Sequence, residues 1–192
     1  MPHRPEVALQ MLKDGNRRFA EGHGGGRFAP DARAETLLGQ QPWAVVVGCS
    51  DSRVPVEAVF DVGVGQLFVV RTAGHVPAAA SLASIRFAVE KLGTRLVVVL
   101  GHEDCGAVSA ALSGDAPEWL DPIVGHIDVS DVSPLNAPAD ADDPLLAAAV
   151  DHHVRETVDE LRVWFDEIGL AEMPVIVGAA YKLGSGEVHW LD

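Results

Sequence analysis

Trp43-Ala44-Val45-Val46-Val47-Gly48-Cys49-Ser50-Asp51-Ser52-Arg53 is the stretch whose reading decides the fold. Its three consecutive valines are bounded by Gln41-Pro42 and Gly48, as suits a strand covered on both faces of a sheet. Immediately past that run, a thiol, a carboxylate and a guanidinium stand at every second position. In extended backbone, residues two apart point the same way, so Cys49, Asp51 and Arg53 are expected to face one pocket. Residues 96–100 form a second buried-strand run, and it ends in Gly101-His102-Glu103-Asp104-Cys105.

Working outward, residues 5–21 read as an amphipathic helix, with Ala8, Met11, Leu12 and Phe19 at helical spacing. Gly22 to Gly26 break it with a flexible loop that lets the helix reach a partner subunit. A short helix near residues 31–39 leads to the first strand, and residues 55–60 read as one or two helical turns. Gly63-Val64-Gly65 is a turn; Phe68 stands where a dinucleotide fingerprint needs its third glycine. Residues 67–70 form the second strand. A helix over residues 78–92 follows, with Leu82, Ile85, Val89 and Leu92 as its apolar stripe and Gly93 as its stop. After the third strand, residues 105–112 read as helix. Residues 115–143, rich in Pro and Asp, read as irregular with a short helix near residues 123–127. A long helix over residues 144–168 precedes a terminal strand pair at residues 175–183 and 187–191, joined by Gly184-Ser185-Gly186.

Strands alternating with helices imply an α/β fold: a mainly parallel central sheet, flanked by helices, with an N-terminal helical arm over residues 1–40. The expectation is one domain over residues 1–192. Ligands in such folds bind beyond the carboxyl ends of the strands, where chain order reverses. A 2-1-3-4 strand order, with a further edge strand, puts the first and third strands side by side and brings Cys49 and His102 together.

Composition narrows the function. With 48% apolar and 22% charged residues, the chain has the makeup of a folded globule. A net charge of −14 argues against nucleic-acid and anionic-membrane partners, which need clustered Lys and Arg. No apolar run reaches the length of a membrane span, and residues 1–20 lack a charged-then-apolar signal pattern, so a cytoplasmic location is expected. Both cysteines of the chain lie in the two strand-end stretches. A disulfide between them, or two inert buried thiols, are the plainer readings.

Cys49, His102 and Cys105 are also three zinc ligands with a fourth position left open, as a catalytic zinc requires. Cys105 falls near a helix N-terminus, which favours its thiolate. Two thiolates cancel the charge of Zn²⁺, so water on this metal is acidified less than in an all-histidine site, and another group must help hold hydroxide. Asp51 is placed to accept its hydrogen bond, and Arg53 to pin Asp51 by a bidentate pair. A plain surface salt bridge is the alternative for Asp51 and Arg53. His75, past a strand end, is a candidate proton relay; His126, His152 and His153 read as solvated or structural.

At these residues the sequence resembles the β-class carbonic anhydrases. The matching strings are Cys49-Ser50-Asp51-Ser52-Arg53 and His102-x-x-Cys105. Gln40, Phe68-Val69-Val70-Arg71, Ala73-Gly74 and Gly101 with Gly106-Ala107-Val108 extend the match. The resemblance implies Zn²⁺ on Cys49, His102 and Cys105, an Asp51–Arg53 catalytic dyad, and reversible hydration of CO2 to bicarbonate and a proton by zinc-bound hydroxide. It further implies Gln40, Phe68 and Gly106 as substrate-binding residues, with Gln40 and Phe68 lining a CO2 pocket at the interface of a homodimer, which can pair further into a tetramer. In a closed state Asp51 itself would ligate the metal. Two departures stand out: Thr72 replaces a frequent Asn, and Val46 replaces the Trp with which some bacterial members hold an inhibitory bicarbonate. Attack on CS2 or COS, and a non-catalytic zinc or dithiol-sensing module, are the competing functions.

Overall fold

A computed structural model describes residues 4–25 and 28–191. Gly26, the last glycine of the loop after the first helix, lies outside the described residues, as do residues 1–3 of the expected arm and Asp192 of the expected domain.

Five strands form one sheet in the order β2-β1-β3-β4-β5. They are β1 (Ala44–Cys49), β2 (Leu67–Thr72), β3 (Leu96–His102), β4 (Val175–Tyr181) and β5 (Val188–Leu191). The first four are parallel and β5 runs antiparallel to β4. The expected order, with a further edge strand, is therefore the observed one. Every residue of β1 and β3 is buried, and the alternation of the chain divides their side chains between two cores. Val46, Val98 and Leu100 pack on one face with Ala8 and Leu12. Val45, Val47, Val97 and Val99 pack on the other with Ile85, Val158 and Phe165. An unbroken apolar run is what this two-sided burial requires.

The helices are α1 (Pro5–Ala20), α2 (Pro30–Ala34), α3 (Val56–Val59), α4 (Ala79–Lys91), α5 (Gly106–Ser113), α6 (Asp121–Val124) and α7 (Pro144–Glu167). Helix α7 starts where Asp143 accepts hydrogen bonds from the N–H groups of Leu145 and Leu146, each at 3.1 Å, with Pro144 in the first turn. It crosses the sheet where the strands carry glycine: a Cβ on Gly101 or Gly178 would lie 2.6 or 2.8 Å from a methyl of Val154. On α4 the buried stripe is Ser81, Ile85, Ala88 and Val89, while Leu82 and Leu92 are only partly covered. The short helix expected near residues 123–127 is α6, two residues earlier, because Pro122 falls in its first turn.

Helix α1 packs on its own chain. It buries Ala8 and Leu12 against the sheet. Asn16 fixes it there. Its Nδ2 donates to the carbonyls of Val59 (3.1 Å) and Gly186 (2.8 Å), and its Oδ1 accepts from Val188 N–H (2.8 Å).

Candidate metal centre

Strands β1 and β3 are neighbours, with Gly48 opposite Leu100, so the residues that follow each strand meet at one edge. One ligand atom from each of Cys49, His102 and Cys105 lies within 4.8 Å of the other two. Ligand bonds of about 2.0–2.3 Å hold tetrahedral donors roughly 3.5–4 Å apart, so the trio is near the span of a single ion. All three residues are buried, and both cysteines are free thiols; no disulfide joins them.

The imidazole is already aimed. His102 Nδ1 stands 2.8 Å from the carbonyl oxygen of Glu103, which only an N–H can satisfy, so Nδ1 carries the proton. Nε2 then presents a lone pair, and it is buried without a hydrogen-bond partner among the described residues. The sulfurs are set by main chain. Cys49 Sγ receives the N–H groups of Asp51 (3.4 Å) and Gly74 (3.3 Å). Cys105 precedes the first turn of α5 in extended conformation. The contact between the two thiols pushes the pKa of Cys49 down and that of Cys105 up, so the pair shares one proton where a cation would take its place. An orphaned imidazole nitrogen facing two sulfurs fits a metal ion.

Asp51 and Arg53 meet by a different route from the one their spacing suggested. Past Cys49 the chain turns: Val54 N–H bonds Asp51 O at 3.1 Å, and the Asp51 carboxylate caps Arg53 N–H at 2.9 Å. Residues 51–53 are therefore a turn stabilised by its own aspartate, not an extended continuation of β1. Both carboxylate oxygens face the guanidinium, with Arg53 Nε 3.0 Å from Oδ1 and Nη2 2.8 Å from Oδ2. This pair, more than anything else, holds the Asp51 pKa far below the ordinary carboxylate range. Oδ2 of Asp51 lies 4.0 Å from His102 Nε2, so the dyad borders the cluster.

A family model described as carbonic anhydrase matches residues 44–188, the span from β1 into β5. The chain belongs to the β-carbonic anhydrases. It is 42% identical to a carbonic anhydrase of Mycolicibacterium smegmatis over 96% of this chain and 92% of that protein. Carbonic anhydrase 2 of Mycobacterium tuberculosis is 52% identical over 57% of this chain and 53% of its own length. The crystal structure of the β-carbonic anhydrase CafA of Aspergillus fumigatus superposes with a TM-score of 0.71 at 27% identity, covering 97% of this chain and 90% of that one. The family makes the chain an enzyme of CO2 and bicarbonate.

Of the other residues singled out in the sequence, Gly106 opens α5 next to Cys105, with free space where a Cβ would stand. Gln40 and Phe68 do not reach the cluster within one chain. Gln40 is exposed before β1 begins, and Phe68 pairs in register with Val45, four residues short of Cys49. His75 is sealed in, with neither ring nitrogen partnered among the described residues and its ring stacked on His153 at 4.3 Å. Burial drives its pKa well below the usual imidazole value, so a path to solvent through His75 is not what this geometry provides. His153 is structural, with Nε2 2.8 Å from Gly74 O.

Sequence reasoning missed the clamp made by Arg71. Its Nε donates to Cys49 O (2.7 Å) and its Nη2 to Asp51 O (2.6 Å), so a residue on β2 fixes the turn that carries a thiol and the dyad. The visible signal was an arginine at the end of an apolar strand, where a charge needs a local acceptor. Among the described residues no helix is long and apolar enough to cross a membrane.

Proposed function

We propose that the chain binds one Zn²⁺ through Cys49, His102 and Cys105 and hydrates CO2 at that centre, with Asp51 and Arg53 as the catalytic pair. The observation that carries this is the buried, unpartnered Nε2 of His102 converging with two cysteine sulfurs. Two thiolates and one imidazole form a donor set that zinc accepts in catalytic sites, with a fourth position free. When bound, zinc supplies the Lewis acid that turns water into a nucleophile near neutral pH.

The chain's own residues do the rest. Asp51 accepts a hydrogen bond from the attacking water and turns a lone pair towards CO2. Arg53 occupies both of its oxygens, which keeps the carboxylate ionised and away from the metal ligands. The closed state, with Asp51 as a fourth ligand, requires Arg53 to let go. Arg71 and Gly74 N–H hold the turn and the sulfur in place. Gly106 leaves room beside Cys105 for a small substrate. Gln40 and Phe68, remote from the cluster of their own chain, serve the site of a second copy, which makes the working form a homodimer or a larger homo-oligomer. Two free thiols persist best in a reducing compartment, in keeping with the cytoplasm.

Metal analysis with a CO2 hydration assay tests this. The expected result is about one zinc per chain, with activity lost on chelation and restored by zinc. Full activity without zinc, or zinc-loaded protein that turns over only CS2 or COS, would overturn it.

A further inference from the structure

Beyond the metal centre, a second cavity of about 200 Å³ opens between α7 and the β4–β5 hairpin. Glu103, Asp151, Lys182 and His189 line it over apolar walls that include Ala147 and Val150. Asp151 is only 7% exposed, and among the described residues no hydrogen bond or ion pair reaches its carboxylate. A carboxylate taken out of water without a partner is unfavourable unless it is protonated or meets a cation. Burial accordingly raises its pKa, against the pull of Arg155, Lys182 and His189.

Lys182 is not the missing partner. Its ammonium lies 3.3 Å from Asp140 and 3.6 Å from Glu103, and it comes within 4.0 Å of neither Asp151 oxygen. The wall is thus short of one positive charge, and the space beside Asp151 is lined by methyl and methylene groups. At roughly 30 Å³ per water, the volume equals that of about six or seven waters, enough for an ammonium with a short alkyl chain.

We propose that this cavity binds a small primary ammonium compound, with the ammonium on Asp151 and the alkyl chain against Ala147 and Val150. One cavity wall also touches the metal centre. Glu103 gives its carbonyl oxygen to His102 Nδ1 (2.8 Å), while its carboxylate holds Leu183 N–H (3.1 Å) and pairs with Lys182. An occupant therefore bears on the residue that orients His102.

Amide NMR of the metal-loaded protein, titrated with butylammonium at about pH 8 where an alkylammonium keeps its proton, tests the proposal. Saturable shifts are expected at residues 147–151 and 180–183. Asp151→Asn should weaken binding at least about tenfold, the worth of roughly 1.4 kcal/mol, and butan-1-ol should not saturate. Ala147→Leu fills the cavity and leaves the carboxylate in place, so it too should lose binding while melting like the parent protein. Undiminished binding to either variant, as an amine on the metal would give, overturns the proposal, and so does tighter binding of butyrate.

Discussion

Asp51 and Asp151 stand at the same edge of the sheet, and their surroundings drive them in opposite directions. Asp51 is gripped by Arg53 through both oxygens and capped on the main chain, so its charged form is favoured. Asp151 is enclosed by α7 and the hairpin without a partner among the described residues, so its charged form is disfavoured. Burial alone does not decide what a carboxylate does; what matters is whether the fold supplies the counter-charge itself. Where it does, the group is held charged and in one place. Where it does not, the group waits for something to arrive.

The comparison can be broken at four points, from the largest expected effect to the smallest. Cys105→Ser replaces a thiolate with a far poorer ligand, and should lower zinc occupancy and hydration by more than about 100-fold, beyond the loss of an outer partner. Zinc content and stopped-flow rates read this directly. Arg53→Ala should lower hydration about 100-fold with zinc still bound, the scale of losing a positioned proton-handling group. Arg53 is the main cause of the low Asp51 pKa, so in this variant the carboxylate stays protonated to higher pH. The acid limb of the pH–rate profile should therefore move up; an unmoved limb would remove Arg53 from the dyad.

Glu103→Gln joins the two regions. It weakens the hold on Lys182 and Leu183 N–H while leaving the main-chain oxygen on His102. Hydration should fall less than about tenfold, because the change is one step removed from a metal ligand. Loss of butylammonium binding in the same variant would show that the two regions share this residue. The smallest effect is on stability. The folded-state pKa of Asp151 is raised, so its contribution is fully present below the unfolded carboxylate pKa and lost as pH rises through the folded one. Asp151→Asn should therefore raise Tm by about 2 °C near pH 8, with the gain vanishing near pH 4. A gain that is the same at both values would mean the residue is not a buried acid.

The first of these regions was legible in the sequence and the second was not. Cys49, His102 and Cys105 follow apolar runs that suit buried strands, and parallel topology brings such strand ends to one edge. The pairing of Asp51 with Arg53 was also legible, though for the wrong geometric reason: the residues meet through a capped turn, not through strand alternation. The cavity at Asp151 needs Glu103, Asp151 and Lys182 together, from three separate elements, and no spacing within the chain announces it. The surface that α1 covers within its own chain was not legible, because a glycine-rich loop shows only where a chain can bend. It does not show which surface the preceding helix will find. Asn16 settles that surface with three hydrogen bonds that link α1 to main chain far along the sequence.

Asn16 also sets an order of events. Two of its three partners are Gly186 and Val188, more than 150 residues downstream, inside the last hairpin. During synthesis α1 emerges well before the hairpin groups that latch it. The apolar stripe of the helix can settle on Val46, Val98 and Leu100 before then, but two of the hydrogen bonds of Asn16 wait until β5 has joined the sheet. Closing so long a loop is slow, because its entropy is spent before any contact rewards it. Helix α1 is therefore made long before it is fully locked, and the finished β5 strand completes the lock.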